Sequence, residues 1–320
     1  MKFGLIGCGY WGQKCIRALE GITGCDLAFI ADTDLMKLKF YEKQGYRVTQ
    51  DYGDILQEDD IVGVLVVTPA SSHYLVVKDC LKANKHVFVE KPLTASSVEA
   101  EELVFLAASK KLKLMTGYVY LFHPAIVYIK RMLDRHELAP PIHFHFQRKN
   151  FGPIREDVSV IWDLAPHEIS ILLYLVGSMP IDVSASGVDI IGHNRPDIAS
   201  VNFWFENGFS ASMDFSWVDP IKMRELTIIS RDKMLIFNDL AAEKIKVFNI
   251  GYDQAPVSLI VDQKIIVAAV SIPNKEPLRE ELQNFVECLN NGMEPLVSGR
   301  DGLAVVKILE NIESVIKINK

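Results

Sequence analysis

The chain has 320 residues, of which 49% are hydrophobic and 23% are charged, and its formal net charge is −7. This size predicts two domains with enough apolar residues for a buried core. The acidic balance argues against a surface that binds nucleic acid. No stretch reaches the roughly 18 apolar residues that a membrane span needs. We therefore expect a cytoplasmic protein that binds neither nucleic acid nor a membrane.

The first predicted element is a short apolar strand over residues 2–6, which runs directly into the turn Gly-Cys-Gly-Tyr-Trp-Gly at 7–12. Gly7 permits a tight turn, Gly9 has no Cβ to block a pyrophosphate, and Gly12 lets the following helix approach the strand. The amino end of that helix then offers unpaired N–H groups to phosphates. The turn predicts a dinucleotide site.

A second apolar strand over residues 27–31 ends at Asp32, which lies 20 residues beyond Gly12. A carboxylate at this spacing accepts hydrogen bonds from the ribose hydroxyls and repels the 2′-phosphate of NADP. The order strand, glycine turn, helix, strand and acid therefore predicts NAD as the cofactor. The alternative is a glycine turn followed by an unrelated aspartate.

The first 121 residues alternate short apolar runs with segments of helical periodicity. Further strands are predicted at 62–67, 86–89 and 112–116, and helices at 74–83 and 98–108. This alternation is typical of a doubly wound parallel sheet, the Rossmann architecture, covered by helices on both faces. We predict that residues 1–121 form an α/β domain that binds NAD.

Residues 122–320 follow a period of two instead. Apolar and polar residues alternate over 209–217 and again over 201–205, and Asn207-Gly208 between them suits a hairpin turn. Strands at 142–146, 226–229 and 234–237 and two closing helices complete the pattern. We predict an α+β domain on a large, mostly antiparallel sheet, with the last helix near the interface of the two domains.

Polar residues follow two strands of the first domain. Thr68-Pro69 ends one strand and leads into a helix that begins with Ala-Ser-Ser and His73, and Glu90-Lys91-Pro92 ends another. Ligands bind at the carboxyl ends of parallel strands, so these groups are expected beside the cofactor. The alternatives are a surface lysine at Lys91 and a serine helix cap after Pro69.

A second group of reactive side chains lies at residues 161–168. Asp163 and His167 are four residues apart, so on a helix they share one face and can act on one substrate oxygen. The alternatives are that Asp163 is only a helix cap, that Pro166 lies in the first turn, and that His167 is a partly buried core histidine.

No metal site is predicted. The five cysteines are scattered without CxxC spacing, which favours neither disulfides nor zinc. His143 and His145 would point to one side of a strand, but a two-histidine pair without a third ligand is a poor zinc site.

Together these motifs resemble the Gfo/Idh/MocA family of NAD(P)-dependent sugar oxidoreductases, over essentially the whole chain. The specific signal is Glu-Lys-Pro after a strand combined with Asp-x-x-x-His at a helix start. The resemblance implies that Lys91 contacts nicotinamide and substrate, and that Asp163 and His167 serve the reacting hydroxyl. It also implies that Glu90 helps to fix Lys91 and that Pro92 shapes the turn.

Finer features resemble the branch that acts on nucleotide-activated amino sugars, which includes UDP-N-acetylglucosamine 3-dehydrogenases and their uronic-acid relatives. These are the Gly-Tyr-Trp-Gly turn, the segment 162–167 followed by an acid, and Ser-Trp-Val-Asp-Pro at 216–220. Glu168, Ser159 and His123 depart from the residues expected there.

The implied reaction transfers hydride between a sugar carbon, expected to be C3 of a UDP-amino sugar such as UDP-N-acetylglucosamine or its uronic acid, and nicotinamide. The alternatives are oxidation of a free polyol such as inositol, reduction of a keto-sugar, and a non-catalytic NAD-binding regulator. A homo-oligomer, dimer or tetramer, is expected. The cofactor residues implied are Gly7, Gly9, Tyr10, Trp11, Gly12, Asp32, Thr68, Pro69, His73, Glu90, Lys91, Pro92 and Trp162. The candidate substrate residues are Tyr118, His123, Arg148, Asn150, Arg155 and His167. Arg148, Asn150 and Arg155 lie on or just after the strand that leads toward Asp163 and are assigned to the hydroxyls or the diphosphate; the alternative is that they lie on a sheet edge or an oligomer face.

Overall fold

The computed structural model describes residues 1–156, 158–249 and 266–319. The chain divides into two compact units, the first formed by Met1–Phe122 with Lys275–Lys307 and the second by His123–Asn274 with Ile308–Lys320. The division after Phe122 lies one residue from the predicted boundary. Residues 275–307 were predicted to belong to the second domain. In the structure they pack with the first unit instead.

The first unit is built on a parallel sheet that has six strands within the described residues, in the order β3-β2-β1-β4-β5-β6. Its strands are β1 (Lys2–Ile6), β2 (Asp26–Ala31), β3 (Arg47–Thr49), β4 (Ile61–Val66), β5 (His86–Glu90) and β6 (Leu114–Gly117). Its helices in this part of the chain are α1 (Tyr10–Glu20), α2 (Leu35–Glu42), α3 (Gly53–Leu56), α4 (Ala70–Lys82) and α5 (Ser97–Ser109).

The order of the strands is that of a Rossmann sheet, and the predicted fold of this unit is confirmed. Strands β1, β4 and β5 read as nearly continuous apolar runs and are buried along most of their length, as expected for strands with helices on both faces. Strand β3 was not predicted, because three residues are too few to show a periodicity.

The second unit contains a sheet of nine strands among the described residues, in the order β14-β13-β12-β11-β7-β10-β9-β8-β15. Its strands are β7 (His143–Phe151), β8 (Asp182–Val188), β9 (Ile198–Trp204), β10 (Ser210–Ser216), β11 (Val218–Ile229), β12 (Lys233–Asn238), β13 (Ile245–Asn249), β14 (Ile266–Ala269) and β15 (Lys317–Asn319). Neighbouring strands are antiparallel except for β7 with β10 and β8 with β15.

The predicted period of two is confirmed in this sheet. On β10, Ala211, Met213 and Phe215 are fully buried, whereas Ser210 and Ser212 between them are half-buried. Two helices of the unit are α6 (Pro124–Asp134) and α7 (Val160–Val176), and α7 packs against β7, β9 and β10. The apolar face of the sheet is therefore the face that positions α7.

Two helices close the chain, α8 (Pro277–Asn291) and α9 (Gly299–Val315). The apolar stripe of α8 belongs to the core of the first unit, where the ring of Phe285 lies 6.2 Å from that of Phe3 and 6.1 Å from that of Phe88. Burial of this stripe explains why α8 joins the first unit. Within the described residues no helix combines the length and the apolarity needed to cross a bilayer.

We predict that Phe285→Ala destabilises the protein by about 3–5 kcal/mol, because it removes an aromatic ring from a closed core. Urea unfolding measures the loss. Phe105, whose side chain is 76% exposed on α5, provides the matched control, and Phe105→Ala should change the free energy of unfolding by less than about 0.5 kcal/mol. Equal effects of the two substitutions would contradict the assignment of α8 to this core.

Candidate active site

The glycine turn between β1 and α1 has the backbone that a dinucleotide requires. Gly7 has a φ of +97°, and a Cβ on it would lie 2.6 Å from the Val67 carbonyl oxygen. A Cβ on Gly12 would lie 2.2 Å from the Gly7 carbonyl oxygen, whereas a Cβ on Gly9 would meet no atom within 4 Å among the described residues beyond its own chain neighbours. The first and third glycines are thus needed for packing, and the second leaves room for a ligand.

Asp32 follows β2 and is fixed by backbone amides. Its Oδ2 accepts a hydrogen bond from the Cys8 N–H at 2.8 Å, and its Oδ1 accepts one from the Asp34 N–H at 2.9 Å. Burial alone would raise the pKa of Asp32, but these amides and the nearby Lys37 ammonium, 3.7 Å away, hold that pKa below its usual value. The carboxylate is therefore negative and immobile, as a partner for ribose hydroxyls should be.

A cavity of about 530 Å³ opens beside this turn. The predicted cofactor residues that line it are Gly7, Gly9, Tyr10, Trp11, Asp32, Thr68 and Pro69. Sequence reasoning missed Gln50 and Tyr52, which also line it and follow the short strand β3. The cavity, the open space at Gly9 and the amino end of α1 fit a dinucleotide.

Glu90 joins the end of β5 to the start of α1. Its Oε1 accepts a hydrogen bond from Trp11 Nε1–H, and its Oε2 accepts one from the Lys91 backbone N–H at 3.2 Å. Burial raises the pKa of Glu90 to about 7, against the opposing effects of Lys91 and Trp11. The predicted Glu-Lys-Pro turn therefore has a defined geometry, in which Glu90 fixes the backbone at Lys91.

His73 does not line the cavity, contrary to the prediction that it contacts the cofactor. Its side chain is only 1% exposed, and its ring nitrogens lie 2.8 Å from the Pro92 carbonyl oxygen and 2.9 Å from that of Thr68. The imidazole instead bridges the chain segments that follow β4 and β5. It therefore holds the two loops that carry Thr68 and Lys91.

Helix α7 presents the second group of candidate residues. Ser159 caps the helix through its Oγ, so Asp163 lies in the first turn and is not the cap. Pro166 lies inside the helix and not in its first turn. Asp163 and His167 are half-buried on one face of α7, and Arg155 Nη1 lies 3.4 Å from Asp163 Oδ1. The predicted arrangement of a carboxylate and an imidazole one turn apart is present.

Arg148 was predicted to contact substrate, but it forms a buried ion pair instead. Its Nη1 donates to both carboxylate oxygens of Glu168, at 2.9 and 3.2 Å, and both side chains are less than a tenth exposed. The pair joins β7 to α7 next to His167. A buried guanidinium requires such a partner, and the pair joins α7 to the sheet.

Three other residues predicted to contact substrate have local roles in the structure. Asn150 Nδ2 donates to the Gly152 carbonyl at 2.7 Å. His123 caps α6 by accepting the Ala125 N–H at 3.1 Å. Tyr118 is completely buried.

A further cluster that the sequence did not reveal supports the start of α7. Asp189, His193 and Asp197 have ligand atoms within 4.8 Å of one another, but their carboxylates accept backbone amides of the loop. Asp197 Oδ1 also accepts Trp217 Nε1–H at 2.6 Å, and the adjacent Pro196 carbonyl accepts the Val160 N–H. The cluster is a loop anchor. His143 and His145 likewise bond to serines of β10.

The fold and this cavity define a dinucleotide-binding domain joined to an antiparallel-sheet domain. An oxidoreductase family model with an NAD-binding Rossmann fold matches residues 1–118, and the GFO/IDH/MocA C-terminal domain model matches residues 126–236. The chain belongs to the GFO/IDH/MocA oxidoreductase family, and its cofactor is NAD.

Individual proteins that are similar to this chain include dehydrogenases of sugars and polyols. A UDP-N-acetylglucosamine 3-dehydrogenase of Acidithiobacillus ferrooxidans is 27% identical, over 90% of this chain and 88% of its own. A scyllo-inositol 2-dehydrogenase (NAD(+)) of Bacillus subtilis is 26% identical, over 93% and 88%. A solved structure of the first enzyme superposes with a TM-score of 0.85 at 24% identity, covering 99% of this chain and 97% of that one. This superposition shows that the two chains share a fold.

We predict that Asp32→Ala weakens NAD binding at least about tenfold, because a charged acceptor for the ribose is lost, and weakens NADP binding much less. Titration calorimetry with both cofactors measures the effect. Asp34, which caps α2 and lies 3.6 Å from Lys37, is the control, and Asp34→Ala should leave the preference unchanged. Equal losses for NAD and NADP would show that Asp32 acts only in holding the turn.

Proposed function

We propose that the protein is an NAD-dependent dehydrogenase that oxidises a hydroxyl of a nucleotide-activated amino sugar, at C3 of UDP-N-acetylglucosamine or its uronic acid. The observation that carries this proposal is the pair Asp163 and His167 on one face of α7, a helix that the buried Arg148–Glu168 ion pair joins to β7. The similarity to a UDP-N-acetylglucosamine 3-dehydrogenase over 90% of the chain supports the substrate class.

In the proposed mechanism, His167 acts as the base and takes the proton of the reacting hydroxyl. Asp163 orients that hydroxyl, and Lys91 supports the negative charge that develops on its oxygen. The glycine turn and Asp32 would hold NAD, which would supply the hydride acceptor for the same carbon. Trp162, one residue before Asp163 on α7, is proposed to contact the nicotinamide.

Arg155 is the proposed contact for the diphosphate. Its side chain is 42% exposed and approaches Asp163, so it can reach an anionic ligand next to the proposed base. A guanidinium fork matches phosphate oxygens in two parallel hydrogen bonds. Of the substrate residues that the sequence predicted, Arg155 and His167 are the two we retain.

A free polyol is the second candidate substrate. A scyllo-inositol 2-dehydrogenase is 26% identical over 93% of this chain, nearly as similar as the sugar-nucleotide enzyme. An inositol has no diphosphate, so Arg155→Ala should reduce turnover of a UDP sugar and leave turnover of an inositol unchanged.

We predict that His167→Ala and Lys91→Ala each reduce NADH formation about 100- to 10,000-fold while NAD affinity stays within about threefold. NADH absorbance with UDP-N-acetylglucosamine, its uronic acid and inositols gives the rates. The exposed His136 and Lys39 supply matched alanine controls, which should keep full activity. Turnover that survives both substitutions would refute the mechanism, and no turnover by wild type on any of these compounds would refute the substrate class.

We also propose that the protein assembles into a homo-oligomer through the polar face of the nine-stranded sheet. On this face His143 bonds to Ser210 and Ser212, and Ser200 donates to Asp214 at 2.7 Å. Sedimentation velocity measures the assembly. Replacement of Ser212 by arginine should shift the protein towards monomer, and a wild-type protein that sediments as a monomer would overturn the proposal.

A further inference from the structure

Lys37 is a cation of the cofactor cavity that the predicted set of cofactor residues does not include. It lies in the first turn of α2 and lines the cavity together with Asp32 and Thr33. Its Nζ lies 3.7 Å from Asp32 Oδ1, and its side chain is 41% exposed. The cavity therefore has a positive charge beside the carboxylate that is expected to bind the ribose.

The ammonium group of Lys37 is not engaged by its neighbours. Its distances of 3.7 Å to Asp32 and 3.6 Å to Asp34 are longer than a hydrogen bond, and within the described ranges no other group accepts one from it. Both carboxylates have other donors, since Asp32 accepts the Cys8 and Asp34 N–H groups and Asp34 accepts the Met36 N–H at 2.9 Å. The three N–H donors of Lys37 are thus available to a ligand.

The loop between β2 and α2 supplies a second donor. Thr33 follows Asp32 directly, is exposed and lines the cavity. Gln50 donates from Nε2 to the Thr33 carbonyl oxygen at 3.0 Å, and the Asp32 N–H donates to the Thr49 carbonyl oxygen at 3.2 Å. These bonds from the end of β3 fix the loop, so the Thr33 hydroxyl and the Lys37 ammonium stay close to Asp32.

These groups distinguish NAD from NADP, which differ only by a phosphate on the 2′-oxygen of one ribose. A carboxylate such as Asp32 accepts hydrogen bonds from ribose hydroxyls and repels that phosphate. An ammonium and a hydroxyl donate to it instead. Because Lys37 Nζ is 3.7 Å from the carboxylate, a phosphate bound next to Asp32 would also be close to Lys37, whose attraction offsets part of the repulsion.

We propose that the cavity also accepts NADP, with Lys37 and Thr33 as donors to its 2′-phosphate, and that Lys37 limits how strongly the protein prefers NAD. Asp32, held by two backbone amides, keeps NAD the tighter ligand. The proposal concerns the cofactor cavity of the first unit alone, so it does not depend on the proposed substrate.

The first experiment titrates the full chain with NAD and with NADP in a calorimeter. Wild type should bind both cofactors, NADP more weakly. Lys37→Ala should weaken NADP binding about tenfold or more, because a hydrogen bond to a charged group is lost. It should change NAD affinity by less than about threefold, because the partly exposed Lys37–Asp32 pair contributes little. Lys37→Arg keeps a charged donor and should preserve NADP binding.

Lys39 supplies the matched control for this experiment. It is exposed on α2, and two residues along a helix place it on nearly the opposite side from Lys37. Lys39→Ala should leave both affinities unchanged. No binding of NADP to wild type at about 1 mM, or the same NADP affinity in Lys37→Ala and wild type, would overturn the proposal. An equal loss for both cofactors would also overturn it, since Lys37 would then act only on the shape of the loop.

The second experiment isolates the phosphate from the rest of the cofactor. Adenosine 2′,5′-bisphosphate and 5′-AMP differ only in the 2′-phosphate, and their displacement of NADH gives both affinities. Lys37→Ala should weaken the bisphosphate about tenfold and Thr33→Val about threefold, with 5′-AMP unchanged in each variant. A bisphosphate affinity that stays the same would overturn the role of the residue replaced. Neither experiment uses a sugar, so both remain decisive if the proposed substrate is wrong.

Discussion

The close approach of α1 to β1 is the constraint on which the first unit depends. With only 2.2 Å between a Cβ at position 12 and the Gly7 carbonyl oxygen, glycine alone permits the helix to start where it does. That approach directs the amino end of α1 at the cavity and brings Trp11 within hydrogen-bond reach of Glu90. The cofactor cavity, the Glu-Lys-Pro turn and the packing of α8 all follow from the position of α1.

In each unit, residues from other elements anchor a helix that carries or adjoins candidate site residues. In the first unit, Glu90 on β5 binds Trp11 in the first turn of α1. In the second, the loop anchored by Asp197 bonds to Val160, the first residue of α7, and the buried Arg148 on β7 binds Glu168 farther along that helix. Asp163 and His167 lie between these two anchored positions of α7, and Lys91 follows Glu90 directly, so the anchors restrict where the candidate chemical groups can lie.

Local patterns predicted the parts of the structure that depend on neighbours in sequence. The glycine turn, the spacing to Asp32 and the pairing of Asp163 with His167 on one face follow from backbone geometry and helical repeat. Residues whose partners are distant could not be predicted. Arg148 has the chemistry of an anion-binding residue, and only the fold shows that its anion is Glu168, 20 residues away. The unit to which α8 belongs could not be predicted for the same reason, because an apolar stripe on a helix can pack against the core of either unit.

The buried acids of this chain show three ways of accommodating a carboxyl group, and the way determines the charge. Asp32 stays ionised because two backbone amides donate to it and the Lys37 ammonium lies 3.7 Å away. Glu168 stays ionised because a guanidinium neutralises it. Glu281 is completely buried on the apolar face of α8, and burial raises its pKa well above the usual value, so it retains its proton.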